Sequence, residues 1–281
     1  GVELAIPLAV FLGPKLNAKY GTRSQWRFSV AHQRDVLKTG WPGGLMFGNE
    51  MICWGYFMVY LVGHFGKEHS TAGWIAHQYM SLSFMPAVGI SVACTAVVGK
   101  YMGMGRPDLA EQRAWLALKL AMVYMVACGV LFVVFRKQMV HLFVQADTPP
   151  EVVARLVALG SMFLIATATF QAFDAVAMTI SGALRGAGDT VVPGLVTVLL
   201  AWSVIVGGGT ALVTVAPGLE SLGGWMAAAG YIAALAIFLF LRFRGGQWKS
   251  KRLLKESAVG DAETGPVPVM EPQGVDSPAA G

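Results

Sequence analysis

The 281 residues are 55% hydrophobic and only 13% charged, with a mean hydropathy of +0.58, where an average soluble domain carries roughly 25% charged residues. That composition places the chain in the membrane class. Its net charge of +5 does not indicate nucleic acid, because the basic residues cluster beside apolar spans, as cytoplasmic loops do under the positive-inside rule, and no groove-reading motif accompanies them.

Residues 1–12 form an apolar run too short to span and without the basic start and cleavage site of a signal peptide. They read as the end of a transmembrane helix whose beginning is missing, so the sequence is expected to be part of a longer chain. Residues 13–40 turn basic and aromatic, with Lys15, Lys19, Arg23, Arg27, Arg34 and Lys38 against Asp35, and read as a cytoplasmic linker. Within it, Trp26 to Leu37 has apolar residues near helical spacing and either lies along the membrane interface or is solvated.

Residues 41–244 read as six transmembrane helices, which makes the predicted fold an all-α polytopic membrane bundle. The spans run from about Trp41 to Phe65, Thr71 to Val98, Ala114 to Phe135, Ala158 to Thr190, Thr190 to Val215, and from a turn at Pro217 to Gly224 through to Leu241. Between the second and third, Gly99 to Pro107 breaks the helix with glycines and restarts it with Pro107 at the first turn, so those glycines are turn chemistry and not a phosphate loop. In the fifth, Gly207-Gly208-Gly209 allows close helix contact or a bend. Residues 245–281 begin basic and end in Gly, Pro, Ala and acid, a composition expected to be disordered. Six spans put both ends on one side, and the basic residues at both ends make that side cytoplasmic. The three cysteines, Cys53, Cys94 and Cys128, sit inside apolar runs with no C-x-x-C, so neither a disulfide framework nor a metal site is indicated.

Three formally charged residues fall inside these spans, Glu50, Lys119 and Asp174. Lys119 can snorkel to the interface, whereas an ionised acid at mid-membrane costs roughly 2.5–3.5 kcal/mol even on lenient scales. Counted from the inner ends of their helices, both acids lie roughly 15 Å deep, near the middle of the hydrocarbon. Thr167, Phe170, Gln171, Ala177, Met178 and Ser181 share the helical face of Asp174, while Leu164, Ile165 and Val176 point elsewhere. Such a pair of acids can carry a proton or hold a cation. Structural burial, with a hydrogen bond to Gln171, Gln78 or a serine, is the competing reading. Met46, Phe47, Cys53, Trp54 and Phe57 surround Glu50 on its helix, and thioethers and aromatic faces suit a bulky apolar cation. The candidates to line a substrate path are Met46, Phe47, Trp54, Gln78, Phe170, Gln171 and Met178.

The order and spacing of several motifs resemble the multidrug and toxic compound extrusion transporters. Gly40-x-Pro42 followed by Glu50, then Ala76-His77-Gln78, Phe84-Met85-Pro86, Gly89, and Val98-Gly99-Lys100 through Gly105-Arg106-Pro107 are similar to that family's seventh and eighth helices. Phe170-Gln171-Ala172-Phe173-Asp174 with Leu184 to Thr190 is similar to its tenth helix and following loop.

The resemblance implies the C-terminal lobe of a twelve-helix antiporter, a multi-pass protein of the bacterial inner membrane and not an enzyme. It exports a small cationic or amphipathic substrate against sodium or protons and needs no cofactor. Glu50 and Asp174 then hold the coupling ion, a sodium ion or a proton, and are its only implied metal ligands. Its expected partners are membrane lipid, the substrate and the missing N-terminal lobe, with no nucleic acid. The branch named for norfloxacin export often has tyrosine where Phe170 stands, so one hydroxyl ligand is absent here. A lipid-linked oligosaccharide flippase of the same superfamily is an alternative, but several cavity lysines or arginines are expected there and Lys119 alone does not supply them. An intramembrane enzyme is another, but the spans hold no paired metal ligands and no Ser/Lys dyad.

Overall fold

The computed structural model describes residues 2–14, 17–18, 48–145 and 147–250, with isolated positions 30, 33, 37 and 44. Every element in these residues is helical. Helix α1 is Val2–Phe11. Helix α2, residues 48–65, is α-helical to Tyr56, continues as a π-helix over Phe57–Val62 and ends in a 3-10 turn at Gly63–Phe65. Then follow α3 (Lys67–Gly103), α4 (Pro107–Val134), the short α5 (Arg136–His141), α6 (Pro150–Gly186), α7 (Val191–Val215) and α8 (Leu222–Arg244). Among the described residues five helices, α3, α4, α6, α7 and α8, are long and apolar enough to cross a membrane. The predicted first span is described only from residue 48, as α2. The basic segment after α1 and the tail beyond residue 250 lie largely or wholly outside the described residues.

The spans start and stop where local chemistry dictates. Pro107 and Pro150 occupy first turns, where no amide donor is needed, and Asp108 and Glu151 put acids at the positive ends of their helices. Arg185, Arg242 and Arg244 sit in last turns. Gly105 and Gly188, at φ 68° and 78°, carry the chain through left-handed corners that side chains rarely adopt. The glycines between α3 and α4 are therefore a turn. Two helices run well beyond their predicted limits: α3 begins at Lys67 and α6 at Pro150, because polar first turns extend past the apolar stretch that periodicity detects.

Helix α6 is the centre of the bundle, flanked by α3, α4 and α8, with α5 across its outer end. This explains a departure from the helical-wheel reading. Ile165 is 41% exposed, but Leu164, expected to point away, is fully buried, because a helix packed on three sides buries an arc wider than its polar face.

The contact between α3 and α6 is made by small residues. A Cβ at Gly182 would lie 2.6 Å from the Ser91 carbonyl and one at Gly186 2.4 Å from the Thr95 carbonyl. The approach lets Ser91 Oγ donate to the Met178 carbonyl (2.7 Å) and Thr95 Oγ1 to the Gly182 carbonyl (2.9 Å). Without a hydrophobic force between helices in lipid, such close backbones and interhelical hydrogen bonds hold the pair. Gly186→Ala is expected to lower stability by about 1–3 kcal/mol, since the obstructing atom is backbone and cannot turn aside. Thermal unfolding in detergent, compared with Gly89→Ala at an open position, checks this.

In α7, Ala201–Gly208 is π-helical and runs into Gly209, where a Cβ would lie 2.5 Å from Leu61 Cδ1. The glycine run is thus the close contact between α7 and the π-helical part of α2. Tyr56 and Thr210 join the same two helices by a 2.8 Å hydroxyl pair, and Trp202 Nε1 donates to Asn49 Oδ1 at 2.6 Å. This brace fixes the segment of α2 that carries Glu50.

At one end of the bundle, Asp189 is buried and receives two hydrogen bonds from Arg242, 2.9 Å and 2.7 Å, locking the turn after α6 to the last turn of α8. At the opposite end His69 is buried, within 2.7 Å of Ser221 Oγ and 3.2 Å of Glu220, and so ties the start of α3 to the start of α8.

Candidate functional site

Asp174 projects from the central helix at 9% exposure, twelve residues from the end of α6, which is about 18 Å along the axis. Glu50 is exposed on α2, one residue after Asn49 and six before Tyr56, the two residues of α2 that the brace holds. The two carboxylates thus stand on different helices, one exposed and one buried. On α8, Tyr231 is buried and its hydroxyl has no hydrogen-bond partner among the described residues.

Five of the acids in the helix ends and loops are paired, while exposed Asp147 and Glu151 are not. Glu68 faces Arg155, Asp108 faces Arg106, Glu111 faces Lys249, Asp189 faces Arg242 and Glu220 faces His69. Among the described residues no basic group forms an ion pair with Glu50 or Asp174. Lys119, the other charge expected inside the spans, is exposed on α4. A carboxylate without a cation of its own can take one from outside, which is the chemical capacity of these two acids. No group of three or more His, Cys, Asp or Glu residues arranged for a metal occurs among the described residues.

The other sequence candidates are dispersed. Met46 and Phe47 lie outside the described residues. Trp54 is half-buried, edge-on to Phe57 at 5.3 Å and to His77 of α3 at 6.4 Å. Phe170 is 1% exposed, a core side chain. Gln171 is buried, and its amide donates to Ser83 Oγ at 3.0 Å, so it joins α6 to α3 and does not hydrogen-bond Asp174. Met178 belongs to a separate apolar cluster with Ala87, Ala121, Met125 and Ala175. Gln78 is exposed and lines an outer groove of about 350 Å³ with Tyr79, Ser81, Leu82, Met85 and Phe143, which contains neither acid. Sequence spacing put these residues on shared helical faces. The three neighbours of α6 then divide those faces among different contacts.

Tyr231 was not reached by sequence reasoning. Its only signal is that it is the sole hydroxyl-bearing residue in α8, thirteen positions from the end of that helix, or about 20 Å along the axis and level with Asp174.

Comparison with known proteins gives a consistent relationship. The MatE family model matches residues 47–208, more than half of the chain. A protein named "Probable multidrug resistance protein NorM" from Deinococcus radiodurans is 33% identical over 212 residues, covering 75% of this chain and 46% of its own length. One of the same name from Thermotoga maritima is 28% identical over 240 residues, covering 81% and 47%. The chain spans about half the length of these curated relatives. Among solved structures, a MOP superfamily transporter from Pyrococcus furiosus superposes with a TM-score of 0.73 at 20% identity, over 89% of this chain and 55% of that one. An outward-facing multidrug resistance MATE family transporter of the same superfamily gives 0.72 at 20% identity, over 89% and 55%. At that identity the structures establish the shared bundle, and the family match over most of the membrane region establishes descent. The chain is a multi-pass protein of the cell membrane and belongs to the MatE family, multidrug and toxic compound extrusion.

Proposed function

We propose that this chain is the C-terminal lobe of a secondary antiporter that exports small cationic or amphipathic compounds in exchange for sodium ions or protons, and that Glu50 and Asp174 are the groups both ligands share. The observation that carries the reading is Asp174, buried on the central helix without an ion-pair partner among the described residues, while the other buried carboxylate of the bundle, Asp189, holds Arg242; Glu50 on α2 likewise has none. Maintaining such acids without a purpose is disfavoured in a membrane bundle. Exposed Glu50 and buried Asp174 put one carboxylate at the surface of the bundle and one inside it.

The missing half of the relatives' length corresponds to a second lobe, against which this one rocks around the fixed site. The mechanism then needs no distant coupling. On the outside the ion binds, neutralises the pair and releases the substrate; on the inside loss of the ion restores the charge that attracts the next one. The test is uptake of a cationic dye into everted vesicles containing this chain joined to an N-terminal lobe. Accumulation that collapses when the ion gradient is dissipated supports the reading, and gradient-independent movement, or transport of lipid-linked oligosaccharide instead, refutes it.

A further inference from the structure

The two ends of the bundle are charged differently. At the end where Asp189 meets Arg242, the acids Asp108, Glu111 and Asp189 are each held by a cation, Arg106, Lys249 and Arg242. Lys100, Arg113, Arg185 and Arg244 remain there, exposed and without an ion pair among the described residues. At the opposite end of helices α3 to α8 the formal charges balance, with Glu68, Asp147, Glu151 and Glu220 against Lys67, Arg136, Lys137 and Arg155. The four surplus cations stand within the first or last two turns of their helices and flank two contacts. Helices α3 and α6 cross at Gly99 and Gly186, where a Cβ on Gly99 would lie 3.3 Å from the Gly186 carbonyl, and Lys100 and Arg185 are the adjoining residues. Helices α4 and α8 meet through Trp115 and Phe243, 5.6 Å between ring centres, with Arg113 and Arg244 close by in sequence. Three of the cations also continue into exposed apolar surface. Val97 lies one turn from Lys100, Leu116 and Leu120 one and two turns from Arg113, and Leu241 and Ile237 one and two turns from Arg244, each on its cation's side of the helix and toward the middle of the bundle.

We propose that this end of the bundle binds anionic phospholipid, with headgroup phosphates held by Lys100 and Arg185 at one contact and by Arg113 and Arg244 at the other, and acyl chains lying along the apolar residues next to them. Lysine and arginine at a membrane surface each attract an anionic headgroup, arginine through a forked contact to two phosphate oxygens. The apolar continuation selects lipid over a soluble phosphate, which can use the cations but not the residues beside them. Asp174 lies about 18 Å from that end along α6, so this surface is distinct from the buried acid and does not depend on its role.

The test uses the 281-residue chain in detergent, titrated with phosphatidylglycerol or with phosphatidylcholine of the same acyl chains. Bound lipids are counted by native mass spectrometry and stabilisation is read by thermal unfolding. Tighter binding and a larger thermal shift are expected for phosphatidylglycerol, both weakened by salt. Lys100→Gln with Arg185→Gln, and Arg113→Gln with Arg244→Gln, should each weaken phosphatidylglycerol binding by about fivefold for every cation removed. Unfolding in phosphatidylcholine should stay the same in these variants, because no ion pair is broken. Lys67→Gln with Lys137→Gln, at the balanced end, should leave phosphatidylglycerol binding unchanged. Equal binding of the two lipids, or equal losses from substitutions at the two ends, overturns the proposal. Equal stabilisation by glycerol phosphate without acyl chains also overturns it and makes the patch a site for a soluble anion. So does a preference for phosphatidylglycerol that appears only when the chain stops at Ser250, which would mean that acids beyond that point, such as Asp261 and Glu263, occupy the patch instead.

Discussion

Asp174→Asn and Glu50→Gln are each expected to reduce gradient-driven dye efflux by the two-lobe protein to background. Each substitution removes a negative charge that ion and substrate must share, so the ion no longer changes the affinity for the substrate and the cycle has no direction. Folding is expected to survive, because a neutral amide costs less to bury at position 174 than a carboxylate, Glu50 is exposed, and neither acid holds an ion pair that substitution would break. The measurement is initial efflux rate normalised to the folded protein in the membrane. Normal efflux in the double variant would show that the acids serve packing alone.

The largest effect on stability is expected away from those acids, in Arg242→Ala. The guanidinium holds both oxygens of Asp189, whose side chain is fully buried, and is itself only 15% exposed. Removing one member of such a buried pair costs about 3–5 kcal/mol. The pair between Lys249 and Glu111 joins the same end of the bundle but is 39% and 32% exposed, so Lys249→Ala should cost under about 1 kcal/mol. Thermal unfolding of the two variants side by side separates the cases, and equal losses would mean that the Asp189 turn is not the fastening described here.

Much of this was legible in the residues, for reasons that differ by element. Asp174 stood out because a lone carboxylate in a long apolar helix has few explanations, and the glycines before Pro107 because a left-handed corner needs one at Gly105. The contact of Gly182 and Gly186 with α3 was not legible, since its partners Ser91 and Thr95 each lie 91 residues earlier and nothing local pairs them. Gln171 was misplaced for the same reason: its helical face is near that of Asp174, but its hydrogen bond goes to Ser83, 88 residues away. Tyr231 is the extreme case. A tyrosine in an apolar helix is ordinary, and only the packing of α8 against α2 and α6 encloses its oxygen without a partner. Periodicity finds what one helix buries; it cannot find what three helices bring together.

The central claim is that one site serves two ligands, and competition tests it most directly. Binding of a fluorescent cationic dye to the two-lobe protein, followed by polarisation while sodium or protons are added at constant ionic strength, should show the dye displaced by the coupling ion with an apparent affinity that falls in proportion to ion concentration. Dye bound to the Asp174→Asn protein should be indifferent to the ion. Dye affinity independent of both sodium and pH in the unaltered protein would contradict the account.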